Sequence, residues 1–341
     1  MTRPRIALFT GDPAGIGPEL CARLLADRRT AEAAELLVVT SRAVIADAVS
    51  ITGRPFAFVT GDARAAIGRP LDAPMIVDWP GVAADGFERA VAGARNGAWM
   101  LDGLRCALAL CRDGAADAIC FAPLNKAALR AGGMTHPDEL HFFCEVLDFR
   151  GPCVEFNVLE GLWTSRVTSH VALREVAALI TVEKVAEGVQ LLWSGLKAAG
   201  LETPRVAVCG LNPHNGDGGA FGREEIEVIG PGVELARSRG FPADGPFPAD
   251  TAFVRATRKD GQGYNGVLTM YHDQGQIAMK LMGFDRGVTV PGGLPIPIAT
   301  PAHGTAYDIA GKGIANTGAM KNAFALACRM GATSAAARMP A

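Results

Sequence analysis

The sequence predicts an α/β protein, and three observations carry that prediction. Short apolar runs (RIALFT at 5–10, ELLVVT at 35–40, DAICFAP at 117–123) each give way to a turn residue and then to a helix pattern. Such runs suit parallel strands buried on both faces. CVEFNVLEG and LWTSRVTSH meet across a Gly turn and read as two paired strands, so the later part of the chain should hold antiparallel sheet. With 341 residues the chain exceeds one ordinary core, so two domains or one large α/β unit are expected.

In order, RIALFT is followed by GDPAGIGPEL, with Pro18 and Glu19 suited to a helix start. Strand, Gly-rich turn and helix N-terminus together can hold an anion or a cofactor edge, and Asp12 is the residue there that points to a site. The spacing matches neither a dinucleotide fingerprint nor a P-loop, so a plain tight turn is the competing reading. SRAVIADAVSITG follows ELLVVT as a helix, PFAFVT is a third strand and MIVDW a fourth. A long helix is expected from about Phe87 to Arg112. Lys126 lies just past DAICFAP, where open α/β sheets bind ligands. Near residue 130 Gly132, Gly133 and Pro137 break the pattern, which places a domain boundary there. DELHFFCEVLD, VALREVAALI and TVEKVAEGVQLLWSGLKAAG read as helices. So does FGREEIEVIGPGVELARSRG, with a break at Gly230 to Gly232. FPADTAFV starts another helix and carries Asp250. TAYDIAGKG and TGAMKNAFALACRMG are the last helices, with a frayed tail.

Net charge is −2, which gives no sign of a nucleic-acid or membrane-surface partner. No apolar run is long enough to span a bilayer, and no signal-peptide pattern opens the chain. The eight Cys form no C-x-x-C pair and read as reduced, mostly buried thiols in a cytoplasmic protein.

The stretch from Tyr271 to Asn316 concentrates the chemistry, with YHDQGQIAMK at one end, HGTAYDIAGKGIAN at the other and the Gly/Pro loop VPGGLPIPIATPA between. Three of the six His, at 170, 214 and 272, each sit where a predicted strand empties into a loop. Three imidazoles with an open position make a catalytic metal site, although a lone His is more often a satisfied hydrogen-bonding residue. Asp250 and Asp273 are candidates for orienting such ligands or the substrate.

HGTAYDIAGKGIAN resembles the nucleotide-binding segment of isopropylmalate and isocitrate dehydrogenases. The resemblance implies that His303 and Gly304 lie near the adenine, Asp308 at the ribose and Asn316 at the adenine edge. An Asp at the ribose favours NAD over its 2′-phosphorylated form. Over nearly its full length the chain resembles the 4-hydroxythreonine-4-phosphate dehydrogenase family, through GDPAGIGPE, APLNKAAL, SHVALREV, GLNPHNGDGGAFGREE, YHDQGQIAMK and GFDRGV. That implies a two-domain α/β/α sandwich of the isopropylmalate dehydrogenase type, with the site in the cleft. Residues 1–129 and 296–341 would form the NAD-binding domain, and 130–295 the domain of metal ligands and dimer contacts. It implies a divalent metal (Zn, Mg, Mn or Co) on His170, His214 and His272, with one His donated across a homodimer interface. The reaction implied is NAD-dependent oxidation of a β-hydroxy acid followed by decarboxylation, with Lys126, Asp250 and Asp273 as proton-handling or orienting groups.

Two departures bear on the substrate. Glu139, Leu140 and His141 stand where phosphate-using members carry His-Thr-Glu. Ile298 replaces an Arg and Thr289 an Asn of the phosphate site, while Lys280 is kept. Loss of a bidentate Arg disfavours a phosphate. The expectation is therefore a non-phosphorylated aromatic cis-dihydrodiol carboxylate, such as the terephthalate dihydrodiol, against an apolar wall of Ile298, Leu140 and Phe142. The alternative is 4-hydroxythreonine 4-phosphate or a phosphorylated sugar acid. An acyl or phosphoryl transferase and a non-catalytic binder are further alternatives, disfavoured by Asp308 and by the three His respectively.

Overall fold

The computed structural model describes residues 3–77 and 87–338. Two compact units emerge, one of Met1–Arg150 with Leu294–Ala341 and the other of Gly151–Gly293. The first boundary thus falls at residue 150, not near 130. The Gly and Pro residues around 132–137 break a helix but do not end the unit, because Phe142 and Phe143 beyond them are buried in the first unit's core with Phe121, Trp99 and Phe9.

In chain order the first unit begins β1 (Arg5–Phe9), α1 (Gly17–Leu25), α2 (Arg28–Ala33), β2 (Glu35–Val39), α3 (Arg42–Thr52), β3 (Val59–Gly61) and β4 (Met75–Val77). It continues α4 (Ala94–Arg112), β5 (Ala118–Phe121), α5 (Lys126–Ala131) and α6 (Glu139–Val146). The start expected for the long helix, and the end of MIVDW, fall partly on residues 78–86, outside the described residues. The second unit holds β6 (Val154–Leu159), β7 (Leu162–Arg166), α7 (Val176–Leu179), α8 (Val182–Ala198), β8 (Val206–Cys209), α9 (Gly230–Ser238), β9 (Ala243–Phe247), α10 (Ala249–Ala256), β10 (Gly266–Thr269), α11 (His272–Gly283) and β11 (Val288–Gly292). The chain then returns to the first unit with β12 (Ile298–Pro301) and α12 (Gly318–Arg338).

The first unit's sheet runs β3-β4-β2-β1-β5-β12, and every pairing in it is parallel. Its central strands are apolar and buried, as continuous Ile/Leu/Val runs demand. The second unit's sheet runs β11-β6-β7-β10-β8-β9. Here β11, β6 and β7 are antiparallel neighbours, and β10, β8 and β9 join parallel. The β6–β7 hairpin turns at Gly161, the pairing that CVEFNVLEG and LWTSRVTSH predict. Its core joins Leu159, Cys209, Phe253, Val267 and Met279.

Several expectations fail for physical reasons. VPGGLPIPIATPA is not a loop throughout, because its ends form β11 and β12. TAYDIAGKG is not a helix, since Gly311 and Gly313 adopt positive φ and give their N–H groups to a side chain. VALREVAALI yields only a 3₁₀ turn and the short α7. The region of Gly230 continues as one turn of π-helix (Glu225–Ile229) leading directly into α9, so the wider turn falls just before Pro231, which cannot donate an i→i−4 bond. All eight Cys are free, and five are buried.

Candidate active site

The first unit builds its site from the β1–α1 turn. Asp12 is fully buried; its carboxylate accepts from the Ala14 N–H at 2.9 Å and the Tyr307 hydroxyl at 2.6 Å. Burial raises its pKa, against the opposing hydrogen bonds from Tyr307, Ala14 and Asn96. Asp12 is therefore not presented to a cofactor. It is an anchor that reaches the 303–316 segment through Tyr307. Glu19, also buried, accepts from the backbone N–H of Gly311 at 2.5 Å and Gly313 at 2.9 Å. The Ile16 N–H donates to the Thr305 carbonyl at 3.0 Å, and Arg23 donates to the Gly313 carbonyl. The two motifs singled out in the sequence, GDPAGIGPE and HGTAYDIAGKGIAN, are thus one construction. Sequence reasoning missed Glu19 and Tyr307 as its fasteners; the burial implied by a Glu in an otherwise apolar helix start was the available signal.

The candidate residues expected of this unit are placed as follows. Asp308 is exposed. His303 Nδ1 meets the Gly304 carbonyl at 3.0 Å, while its Nε2 is buried without a partner. Exposed Asn316 uses Oδ1 to accept from the Gly318 N–H at 2.8 Å at the head of α12. Lys126 opens α5 after Asn125, whose Oδ1 accepts from the Ala128 N–H at 3.0 Å, and its amine is exposed. Asp138 caps α6 by accepting from the His141 N–H at 3.0 Å and from its ring at 2.6 Å. Burial works to raise the Asp138 pKa, but these bonds and the charge of Lys126 bring it below its ordinary value. Glu139 and Leu140 are half-buried in the first turn of α6.

Ile298 contradicts its expected role. It is 1 % exposed, lies opposite Ile119 in the sheet and packs into the first unit's core. Phe142 is buried in the same core. Neither forms an apolar wall for a ligand, because β12 turns position 298 inward.

The second unit places the candidate ligands beyond the ends of β7, β8 and β10. The ring centroids of His170 and His272 are 5.8 Å apart. With a metal–nitrogen bond of about 2.1 Å, each ring centre sits roughly 3.2 Å from an ion, so two rings sharing one are at most about 6.4 Å apart. The observed spacing lies within that limit. Asp273 lies 2.7 Å from His272 Nδ1, an arrangement that fixes that nitrogen as the donor and leaves Nε2 to coordinate. His214 does not join them: among the described residues of one chain no group of three His, Cys, Asp or Glu stands close enough to hold a metal.

His214 instead opens a run of left-handed residues, His214, Asn215, Gly216, Asp217 and Gly218, with φ from 43° to 78°. Consecutive residues in this region are costly for L-amino acids and need outside support. Buried Glu225 supplies it, accepting from the Leu211 and Asn212 N–H groups, both at 2.7 Å. The Asn215 amide donates to the Pro246 carbonyl at 3.0 Å. Gln274 ties the two loops together, accepting from the Met270 N–H at 2.7 Å and donating to the Gly210 carbonyl at 2.9 Å. On the other side Arg166, 8 % exposed, donates to Ser169 Oγ at 2.9 Å and Asn157 Oδ1 at 3.1 Å, just before His170. Arg166 was not singled out in the sequence, where it reads as one charge in a strand. Asp250 is exposed in the first turn of α10, Lys280 is exposed on α11, and Thr289 lies half-buried on β11 opposite Asn157.

Parallel strands, paired imidazoles and a presented loop of nucleotide-binding type define a dehydrogenase-like α/β protein. The family described as pyridoxal phosphate biosynthetic protein PdxA matches residues 32–327. A Pseudomonas aeruginosa relative, provisionally named 4-hydroxythreonine-4-phosphate dehydrogenase 2, is 54 % identical over 328 residues, covering 96 % of this chain and 97 % of the relative. The crystal structure of a 4-hydroxythreonine-4-phosphate dehydrogenase from Burkholderia phymatum has a TM-score of 0.82 at 33 % identity, covering 97 % of this chain and 99 % of that one. The chain belongs to the PdxA family, and it is a dehydrogenase. A terephthalate 1,2-cis-dihydrodiol dehydrogenase from Burkholderia xenovorans is more distant, with a TM-score of 0.69 at 25 % identity over 96 % of this chain and 98 % of that one. The aromatic dihydrodiol reading is thereby overturned, and with it membership of that subgroup. Its structural basis had already gone with the burial of Ile298 and Phe142.

Proposed function

We propose that this chain oxidises 4-hydroxythreonine 4-phosphate, with NAD as hydride acceptor and with a divalent ion. What carries the reading is the presence, in a member of this family, of both a fastened nucleotide-type segment and a His pair spaced for one ion.

When bound, NAD supplies the hydride acceptor, and a divalent ion supplies Lewis acidity where negative charge develops on oxygen. The chain's residues do the rest. Asp308 accepts from the free ribose hydroxyls, which favours NAD over the 2′-phosphorylated cofactor. The amide of exposed Asn316 is the polar group available to an adenine. His170 and His272 would hold the ion, with Asp273 orienting His272, and His214 of a second copy would complete the set in a homodimer. Lys126 is the candidate base that would take the O–H proton of the substrate alcohol, with bound NAD as the acceptor of its C–H hydride. The β-keto carboxylate that results loses carbon dioxide. Lys280 supplies a cation for the phosphate and Thr289 a hydroxyl.

The test is NADH absorbance with purified chain, NAD and each of Zn, Mg, Mn and Co, comparing 4-hydroxythreonine 4-phosphate with its unphosphorylated form. NADH formed from the ester and far less from the free amino acid is expected. No NADH from the ester with any metal would overturn the reading.

A further inference from the structure

The first unit holds a pocket of about 240 Å³ lined by Arg23, Ala26, Asp27, Arg54, Thr317 and Lys321. It is built where α1 and α3 end and α12 begins. Arg54 follows Gly53, the left-handed residue that closes α3. Arg23 also fastens Gly313, and the dehydrogenase site described above uses none of the other side chains.

Three cations face one carboxylate in this pocket, in a chain whose net charge is −2. That carboxylate is already committed. Asp27 accepts from Arg29 Nη2 at 2.9 Å and Lys321 Nζ at 3.1 Å, and these partners hold its pKa well below the usual range. Arg54 has no partner among the described residues. Arg23 spends one nitrogen on the Gly313 carbonyl, while its Nε is buried with no acceptor. The unpaired guanidinium of Arg54 is the cation left for a bound anion. The first turn of the 21-residue α12 adds its positive dipole end beside Thr317.

We propose that this pocket binds the phosphate of a small, polar phosphomonoester. Two guanidiniums, an ammonium and a hydroxyl match the several oxygens and double charge of a phosphate better than a planar carboxylate. At about 30 Å³ per water, the volume has room for a phosphate and a few further heavy atoms. Every lining side chain but Ala26 is polar, so the carrier is polar too.

The experiment measures binding of inorganic phosphate by equilibrium dialysis and of glycerol 3-phosphate by calorimetry, without substrate or NAD. The proteins are wild type, Lys280→Ala, Arg54→Ala and Arg54→Lys. Lys280→Ala removes the cation assigned to the substrate phosphate and separates that site from this one. Binding should survive Lys280→Ala, weaken by about tenfold or more in Arg54→Ala, and be partly restored in Arg54→Lys. Arg54 is exposed, and circular dichroism checks that its variants remain folded. Binding unchanged in Arg54→Ala, or abolished by Lys280→Ala alone, would overturn the proposal. Binding of inorganic phosphate with exclusion of glycerol 3-phosphate would overturn the monoester.

Discussion

Glu19 and Gly311 lie 292 positions apart in sequence, yet the carboxylate of the first accepts the backbone N–H of the second at 2.5 Å. Its other oxygen takes the Gly313 N–H at 2.9 Å. One side chain thereby fixes two turns of the segment that presents Asp308 and His303. Glu19→Ala leaves two donors without an acceptor, at about 1–3 kcal/mol each where they stay dry. A lower thermal midpoint and weaker NAD binding are expected, with kcat at saturating NAD little changed. A variant with wild-type NAD affinity would show that the segment holds its shape unaided.

The Tyr307 hydroxyl on Asp12 predicts a pH-dependent cost. Burial raises the native pKa of Asp12 above the ordinary carboxylate value, so from that ordinary value up to the raised one the folded chain binds the proton more tightly than the unfolded one. The contribution of Asp12 to stability is greatest in acid and falls as pH rises through that window. The Tyr307 hydrogen bond opposes the shift by favouring the charged form. Tyr307→Phe should therefore lower the thermal midpoint little near about pH 4 and more near about pH 7. A deficit that is constant across that range would rule out this linkage.

How much of this was legible follows the range of the interactions. Strands such as Ile6–Phe9 and Leu36–Val39 announce themselves because burial on both faces leaves an unbroken apolar run. The three His were visible because each follows a predicted strand. Their unequal grouping was not, since it depends on a left-handed run at His214 that several distant partners support. Asp12 stood out as a polar residue beside a turn, whereas Glu19 read as an ordinary helix-start residue, and the partners of both lie nearly 300 positions away. Ile298 misled because a substitution was read as a change of pocket wall, whereas the strand's register sends that side chain into the core. The domain boundary misled for a related reason: Gly and Pro report where a helix breaks, not which core the next helix joins.

The Asp273–His272 contact at 2.7 Å predicts a loss of metal affinity without loss of a ligand. Asp273→Asn keeps the size of the side chain but removes the charge that fixes the imidazole. Metal affinity should fall about 10- to 100-fold, as such orienting groups typically cost when removed. Competition with a chromophoric chelator measures it, and His272→Ala gives the reference for outright ligand loss. Unchanged affinity in Asp273→Asn would show that the carboxylate does not serve the metal.

The separation of His214 from the His170–His272 pair yields the strongest test of the shared site. If a two-fold dimer completes each site with His214 from the other copy, two inactive variants complement each other. His214→Ala retains the pair but cannot complete its partner's site. His272→Ala has a broken pair but can still donate His214. In a heterodimer of the two, one site has both defects and the other has none. Random mixing makes about half of all dimers heterodimers, each with one intact site of two, so about a quarter of wild-type activity should return. Refolding the variants together from denaturant, or co-expressing them with different tags, allows that exchange. The His170→Ala and His272→Ala pair is the control, because both defects lie in the same pair. In that mixture every site lacks a ligand, and activity should stay at the level of the single variants. No recovery in the first mixture would place all three His in one subunit's site, and recovery in the control would place His170 and His272 in different subunits.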